Sequence, residues 1–390
     1  MIRVKTAVMS LSGGMDSTAL LLRLIREGYD VYAISYNYGQ KHIIELDRAK
    51  ANIEYLSENN FHVNHQLIDL SGAMSLFASS LIDKNTDVPE GFYEEEQMKS
   101  TVVPNRNAIF SSILYGYALS IAKQLNSNVV ITLGVHSGDH AIYPDCRPEF
   151  YQSLEQSFDL GNWDSDKVRF DLPYIDGDKV TILQDAQESC QKLNLNFETV
   201  FANTSTSYDP DEYGRASGKT GSDIERILAF YKLGIPDPVE YQEDWGKVLQ
   251  NALDIESDFK DKEYQKRFDN LTYSVTRRGA TERPFTGKYN KESRKGIYRC
   301  ICCGLDLFDS SGKYDSGCGW PAFHTELENA NIDRINDYSH GMTRVEIKCS
   351  NCDSHLGHVF NDGPKHYGGE RYCVNSVSLD FEVSDDDDNN

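Results

Sequence analysis

Two Cys-x-x-Cys pairs, Cys300/Cys303 and Cys349/Cys352, are the residues of this chain best spaced to do chemistry. Each short turn brings its two sulfurs within reach of one ion, so four thiolates in this pattern suit a single tetrahedral zinc. Cys373 stands outside that set, within Arg371-Tyr372-Cys373-Val374-Asn375-Ser376, where the charge of Arg371 favours a thiolate. Cys318, in Ser316-Gly317-Cys318-Gly319-Trp320-Pro321, is a partner for it. Together these residues describe a metal-braced thiol redox enzyme confined to the last third of the chain. Cys302, wedged between two ligands, reads as incidental, and Cys146 and Cys190 read as buried thiols.

The other chemical signal is Ser12-Gly13-Gly14-Met15-Asp16-Ser17, between a predicted strand and a predicted helix. Glycines there let backbone N–H groups approach a phosphate, and the helix N-terminus adds partial positive charge.

The elements that must hold these residues follow from the pattern of apolar positions. Strands are expected at residues 6–11, 30–36, 65–70, 129–135 and 168–172, with helices at 18–27, 45–58, 108–124 and 181–193. That alternation predicts an α/β domain, a parallel sheet with helices on both faces. From residue 235 to 268 the chain turns polar and acidic, and Pro236-Asp237-Pro238 interrupts the pattern. Beyond it, short strands, turns and glycine clusters predict a mainly β domain. The expected organisation is a first domain over 1–255, a linker over 256–269, a second domain over 270–384 and a disordered acidic tail over 385–390.

At 390 residues the chain exceeds what one core usually organises, consistent with two domains. A net charge of -22 argues against an extended nucleic-acid surface or an anionic membrane, though not against a local basic pocket. No stretch approaches the roughly 18 apolar residues of a membrane helix, and the first residues do not make a signal peptide. Nine cysteines in such settings suit a reducing compartment, so a cytoplasmic location is expected.

The loop at 12–17 resembles that of the N-type ATP pyrophosphatases. With Tyr38-Gly39-Gln40, Pro104-Asn105-Arg106-Asn107 and Tyr143-Pro144-Asp145-Cys146-Arg147-Pro148-Glu149-Phe150, residues 5–240 resemble the 7-cyano-7-deazaguanine synthases of the queuosine pathway. The resemblance implies an adenine nucleotide alpha hydrolase-like fold that uses ATP with magnesium. Ser10, Ser12, Gly13, Gly14, Asp16 and Ser17 would then hold the nucleotide. Arg106, Asp145, Arg147 and Glu149 would bind a small deazapurine carboxylate, 7-carboxy-7-deazaguanine. That substrate would be adenylated, converted to an amide by ammonia, and activated again to give the nitrile. One departure is large: the family's four zinc cysteines are replaced here by Ser207, Ser217, Thr220 and Asp223. Neutral hydroxyls are poor zinc ligands, so this half is expected to lack the metal. A divergent deazapurine ligase and a non-catalytic nucleotide-binding scaffold are the alternatives for it.

Thr281-Glu282-Arg283-Pro284-Phe285, Tyr298-Arg299-Cys300, the Cys318 and Cys373 motifs and His355-Leu356-Gly357-His358-Val359-Phe360 occur in that order. Over residues 270–383 they resemble peptide-methionine (R)-S-oxide reductase of the B type. The resemblance implies that Cys373 attacks the sulfoxide of an oxidised protein or peptide and becomes a sulfenic acid. Cys318 would resolve it as a disulfide, and a thioredoxin-like reductant would restore both thiols. His355 and His358 would protonate or orient the sulfoxide oxygen, Trp320 would pack on the methyl group, and Asn375 and Asp362 would orient these groups. An alternative for this half is a redox-sensing module without turnover.

Overall fold

The computed structural model describes residues 5–92, 96–138 and 143–384. Two compact units divide the chain, Met1–Glu256 and Ser257–Asn390. The acidic tail at 385–390 lies outside the described residues.

In the first unit, β1 (Lys5–Ser10), α1 (Met15–Arg26), β2 (Tyr29–Asn37), α2 (Ile44–Glu58) and β3 (Asn64–Asp69) follow the predicted alternation. After the single turn α3 (Ser71–Met74) come α4 (Arg106–Leu125), β4 (Val129–Thr132), α5 (Pro148–Gly161), β5 (Val168–Phe170) and α6 (Lys179–Leu193). Then come α7 (Phe197–Ala202), α8 (Gly221–Leu233) and α9 (Trp245–Arg267). The strands pair in parallel in the order β3-β2-β1-β4-β5.

Side chains alternate across β1, so Ala7 and Met9 join Leu20, Ile182, Phe201 and Phe230 on one face of the sheet. Val8 joins Ile34, Phe110 and Leu114 on the other. Both faces are therefore covered, as a parallel sheet requires. Met9, Met15, Met74 and Met98 are all buried in this unit.

Residues 256–267, expected to be linker, continue α9. Only Val248 and Ala252 of that helix are buried, so its sequence carries little amphipathic signal.

The second unit takes in the end of α9 from Ser257, then α10 (Asn270–Arg278), and is otherwise mainly antiparallel β. Its strands are β6 (Gly296–Cys300), β7 (Asp306–Asp309), β8 (Lys313–Tyr314), β9 (Ala322–Phe323) and β10 (Ile332–Asp337). They continue with β11 (Arg344–Cys349), β12 (His355–Phe360), β13 (Arg371–Val374) and β14 (Leu379–Val383). A six-stranded sheet runs β10-β11-β12-β13-β9-β8 and a three-stranded one β14-β6-β7. Tyr298, Phe308, Phe323, Ile347, Leu356 and Tyr372 form the core of this unit. No helix among the described residues is long and apolar enough to cross a membrane.

Candidate functional site

The 12–17 loop leaves the C-terminal edge of β1 and enters α1, the usual ligand side of a parallel sheet. Gly13 adopts φ +90°, and a Cβ on it would sit 1.9 Å from the Glu45 carbonyl oxygen. Only glycine lets the loop lie this close to α2. The Ser12 and Ser17 hydroxyls lie 3.0 Å apart and fasten the turn across its mouth.

A cavity opens above the loop, lined by Ser10, Ser12, Gly14, Asp16, Ser17 and Lys179 at one end. Lys179 Nζ donates to Asp16 Oδ2 at 2.9 Å, lies 3.1 Å from His136 Nε2 and 3.4 Å from Glu225. Burial opposes ionisation of Asp16, but Lys179 and His136 outweigh it and hold the carboxyl below its usual range. A fixed cation and an ionised carboxylate therefore meet at a helix N-terminus, an arrangement suited to a polyphosphate and a divalent ion. Lys179 and His136 were not singled out from sequence. The signal for Lys179 was Asp178, whose side chain accepts from the Thr181 N–H at 2.8 Å and caps α6 two residues before the predicted start.

The other end of the cavity holds Arg106, Tyr38, His42, Glu45, Phe110, Tyr143 and Cys146. The Arg106 guanidinium lies 5.9 Å from the Tyr38 ring and 5.7 Å from the Tyr143 ring, a buried cation between aromatic faces. Burial lifts the Glu45 carboxyl to about 8, against a hydrogen bond from Gln40 and the charge of Arg106. Burial and Arg106 together push His42 down to about 3. Of the four residues expected at the base, Arg106 alone is among the described lining residues. Asp145 instead accepts from the Asn107 N–H at 3.2 Å, near the start of α4. Arg147 and Glu149 are exposed, because the Pro144–Cys146 turn directs Cys146 inward and starts α5 facing out.

The four positions read as replaced ligands do meet in space. Asp223 Oδ2 accepts from Ser207 Oγ at 3.1 Å, Ser217 Oγ at 2.8 Å and Thr220 Oγ1 at 2.9 Å, and all four residues are buried. Burial raises the Asp223 carboxyl, and these hydroxyls offset part of the rise.

In the second unit, Cys373 lies on β13 opposite His358 of β12 and Ala322 of β9. Gly357 allows the approach of the two longer strands, since a Cβ there would meet the Cys373 carbonyl oxygen at 2.0 Å. The loop before β9 brings Cys318 Sγ to 3.5 Å from Cys373 Sγ. Trp320 beside it donates its indole N–H to the Glu282 carbonyl at 3.1 Å. The Glu282 N–H donates to Asn375 Oδ1 at 3.1 Å, and Asn375 Nδ2 donates to the Leu356 carbonyl at 3.1 Å. Asn375 thus ties the Trp320 support to β12.

His355 Nδ1 lies 2.6 Å from Glu346 Oε1 and His358 Nε2 lies 2.9 Å from Asp337 Oδ2, so each ring is oriented by a carboxylate. Among the described residues, the buried His355 Nε2 has no hydrogen-bond partner. Arg371 makes a two-pronged contact with Asp362, at 2.8 and 2.9 Å. The thiolate expected at Cys373 is not favoured in this arrangement. Burial and the adjacent Cys318 raise its thiol to about 12, and Arg371, engaged by Asp362, offsets only part. Cys318 is lowered: burial opposes ionisation, but the Ser316 hydroxyl, the Trp320 backbone, Cys373 and Arg371 outweigh it.

Cys300 and Cys303 sit at the end of β6 and in its turn, Cys349 and Cys352 at the end of β11 and in its turn. Their four sulfurs lie within 4.8 Å of one another, a set that could hold one metal ion. Arg267 donates to the Cys302 carbonyl at 2.9 Å and Arg277 to the Cys352 carbonyl at 2.7 Å, fixing both turns. Cys302 points instead to Ser354 Oγ, at 3.5 Å.

The family model for queuosine biosynthesis protein QueC matches residues 6–234. The chain belongs to this family. A second model, the SelR domain, matches residues 268–383, so the QueC chain continues into a methionine-R-sulfoxide reductase domain. The QueC part is 42% identical over 236 residues to the 7-cyano-7-deazaguanine synthase of Hahella chejuensis, covering 60% of this chain and 93% of that one. It is also 42% identical to the enzyme of that name from Caldicellulosiruptor saccharolyticus, covering 60% and 95%. Among solved structures, NMN synthetase from Francisella tularensis aligns at 16% identity and TM-score 0.29, over 69% of this chain and 89% of that one. That likeness is too slight to bear on function.

Proposed function

We propose that this chain carries two activities, ATP-dependent conversion of 7-carboxy-7-deazaguanine to its amide and nitrile, and thiol-dependent reduction of peptide methionine-R-sulfoxide. For the first, the supporting observation is the Lys179–Asp16 pair beneath the glycine loop. The carboxylate substrate would lie towards Arg106, and its oxygen would attack the α-phosphorus of ATP in line with the departing pyrophosphate. Lys179 and the loop N–H groups stabilise the charge that grows on the leaving group. Magnesium, when bound, would further screen the phosphates, and Asp16 would be its carboxylate ligand. Ammonia then displaces AMP from the acyl adenylate to leave the amide. Arg147, Glu149 and Asp145 are not among the described residues that line the cavity.

For the reductase, the supporting observation is the 3.5 Å separation of Cys318 and Cys373. Cys373 attacks the sulfoxide sulfur while the sulfoxide oxygen takes up a proton by way of His355 or His358. The hydroxyl passes from the methionine sulfur to the Cys373 sulfur as the bond between the two sulfurs breaks, releasing methionine and leaving Cys373 as a sulfenic acid. Cys318 attacks the sulfenic sulfur, water departs, and a dithiol protein such as thioredoxin reduces the disulfide. The thiolate passes to Cys373 once a sulfoxide side chain separates it from Cys318. Cys300, Cys303, Cys349 and Cys352 would hold a zinc ion, which would cross-link the two turns structurally. These chemistries suit the cytoplasm.

The test is direct. The full chain with magnesium, ATP, 7-carboxy-7-deazaguanine and ammonia should yield AMP, pyrophosphate and a product of the amide or nitrile mass. With thioredoxin and a methionine-R-sulfoxide peptide it should yield methionine, and metal analysis should find one zinc per chain. Tight ATP binding without AMP formation on this carboxylate would reduce the first unit to a nucleotide-binding scaffold.

A further inference from the structure

Nothing in the mechanism above uses the buried hydroxyl cluster around Asp223, yet its connections lead to the phosphate loop. One carboxylate oxygen of α8 receives hydroxyls from three stretches of chain, Ser207, Ser217 and Thr220, and also the Thr220 N–H at 3.3 Å. Hydrogen bonds to an ionised acceptor are stronger than neutral ones, so a buried carboxylate gathering several donors is a stiff joint. One turn further along α8, Arg226 donates to Thr204 Oγ1 at 2.8 Å and Thr206 Oγ1 at 3.0 Å. Residues 204–207 are thus fastened to α8 at both ends.

The same short stretch is also fastened to the loop. The Ser205 N–H donates to the Gly13 carbonyl at 2.9 Å, and the Met15 N–H lies 3.4 Å from Thr206 Oγ1. Ser205, Thr206 and Tyr208 line the cavity beside Gly14 and Asp16. Of the three hydroxyl donors to Asp223, Ser207 belongs to this stretch, whereas Ser217 belongs to a segment paired with residues 240–242.

We propose that Asp223 is a positioning residue for ATP activation: through Ser207 it pins residues 204–207 against the phosphate loop and so sets where the loop N–H groups meet the pyrophosphate. The proposal rests on the ATP-activating role assigned to the loop. Ser207→Ala and Ser217→Ala each remove one hydroxyl from the same carboxylate oxygen, so a merely structural cluster would respond to both alike. Positioning makes them differ.

The experiment compares the two variants in the full chain. Misplacement of reacting groups by about 1 Å costs on the order of 100-fold in rate. Ser207→Ala is therefore expected to lower kcat for pyrophosphate formation by about tenfold or more, with the KM for the carboxylate within about twofold. Ser207→Thr should restore the rate, and Ser217→Ala should leave it within about threefold of the parent chain. Hydrogen exchange at the amides of residues 13–17 reads the same coupling without turnover and should quicken in Ser207→Ala alone. Equal exchange and equal rates in the two alanine variants would overturn the proposal. A parent chain that forms no pyrophosphate would defeat the assigned activity, and the exchange comparison would still decide the role of Asp223.

Discussion

Replacing Arg226 by methionine should destabilise the QueC-family unit far more than an average substitution. Arg226 and Asp237 form a fully buried pair, joined by Nε–Oδ2 at 2.6 Å and Nη2–Oδ1 at 2.8 Å. Without the guanidinium, Asp237 keeps only the Tyr241 hydroxyl at 2.7 Å and the Val239 N–H at 3.2 Å. Breaking a buried pair from one side costs about 3–5 kcal/mol, since a charge is left uncompensated in a medium that cannot solvate it. For a unit of this size each kcal/mol lowers Tm by roughly 2–4 °C, so Arg226→Met should lower it by about 6–20 °C. The exposed Lys247–Glu243 pair is the control, because solvent screens it and Lys247→Met should leave Tm almost unchanged. Removing both charges, as Arg226→Met with Asp237→Leu, should recover most of the loss, because apolar replacement of a whole pair is often neutral. Calorimetry of the full chain, with the first unit's transition identified by its shift on adding ATP, measures all three. A double variant no more stable than Arg226→Met would refute the reasoning, which takes the stranded carboxylate, rather than the lost bonds to Thr204, Thr206 and the Phe201 carbonyl, as the main source of the loss.

Further outcomes follow from the two sites. Cys373→Ser should abolish sulfoxide reduction, whereas Cys318→Ser should release one methionine per chain and then stop with thioredoxin; continued turnover would move the resolving role to another thiol. Lys179→Met should lower pyrophosphate formation by about 100-fold or more, as loss of a fixed transition-state charge does, and an unchanged rate would remove Lys179 from the site. Glu45 gives a pH signature. Its folded carboxyl titrates near 8 against an ordinary 4.5, so its contribution to stability is complete below about 4.5 and is lost as pH rises through about 8. Glu45→Gln should flatten that decline in denaturant midpoints taken from pH 5 to 9, and parallel curves would show that Glu45 is not the source.

The sheet of the first unit was legible because its central strands β1, β2 and β4 are short apolar runs that alternate with helices carrying an apolar face. Starts and ends were displaced where capping, rather than hydrophobicity, sets the boundary. Lys179 was lost for that reason, one residue past the capping Asp178. Helix α9 was unreadable because almost none of it is buried, and its polar run resembles a linker. The cysteine and histidine motifs of the SelR domain carried their own spacing, so that site could be named residue by residue. What no motif conveyed was the state of the thiols, which depends on Asp362 engaging Arg371 and on how deeply Cys373 is covered. Likewise, the replacements at 207, 217, 220 and 223 read as a loss in the sequence, and only their convergence on one oxygen shows a new set of bonds.

The burial of Met9, Met15, Met74 and Met98 bears on why a sulfoxide reductase is joined to this chain. Oxidants reach thioethers at the surface first, and an oxidised methionine must also be presented to a reductase on an accessible backbone. Among the described residues, the exposed methionine is Met342, and it belongs to the reductase itself. Among the described residues, the folded QueC-family unit therefore presents no exposed methionine for reduction. An oxidised methionine brought to the SelR domain would come from another protein or peptide, or from a copy of this chain caught before its sulfurs are enclosed.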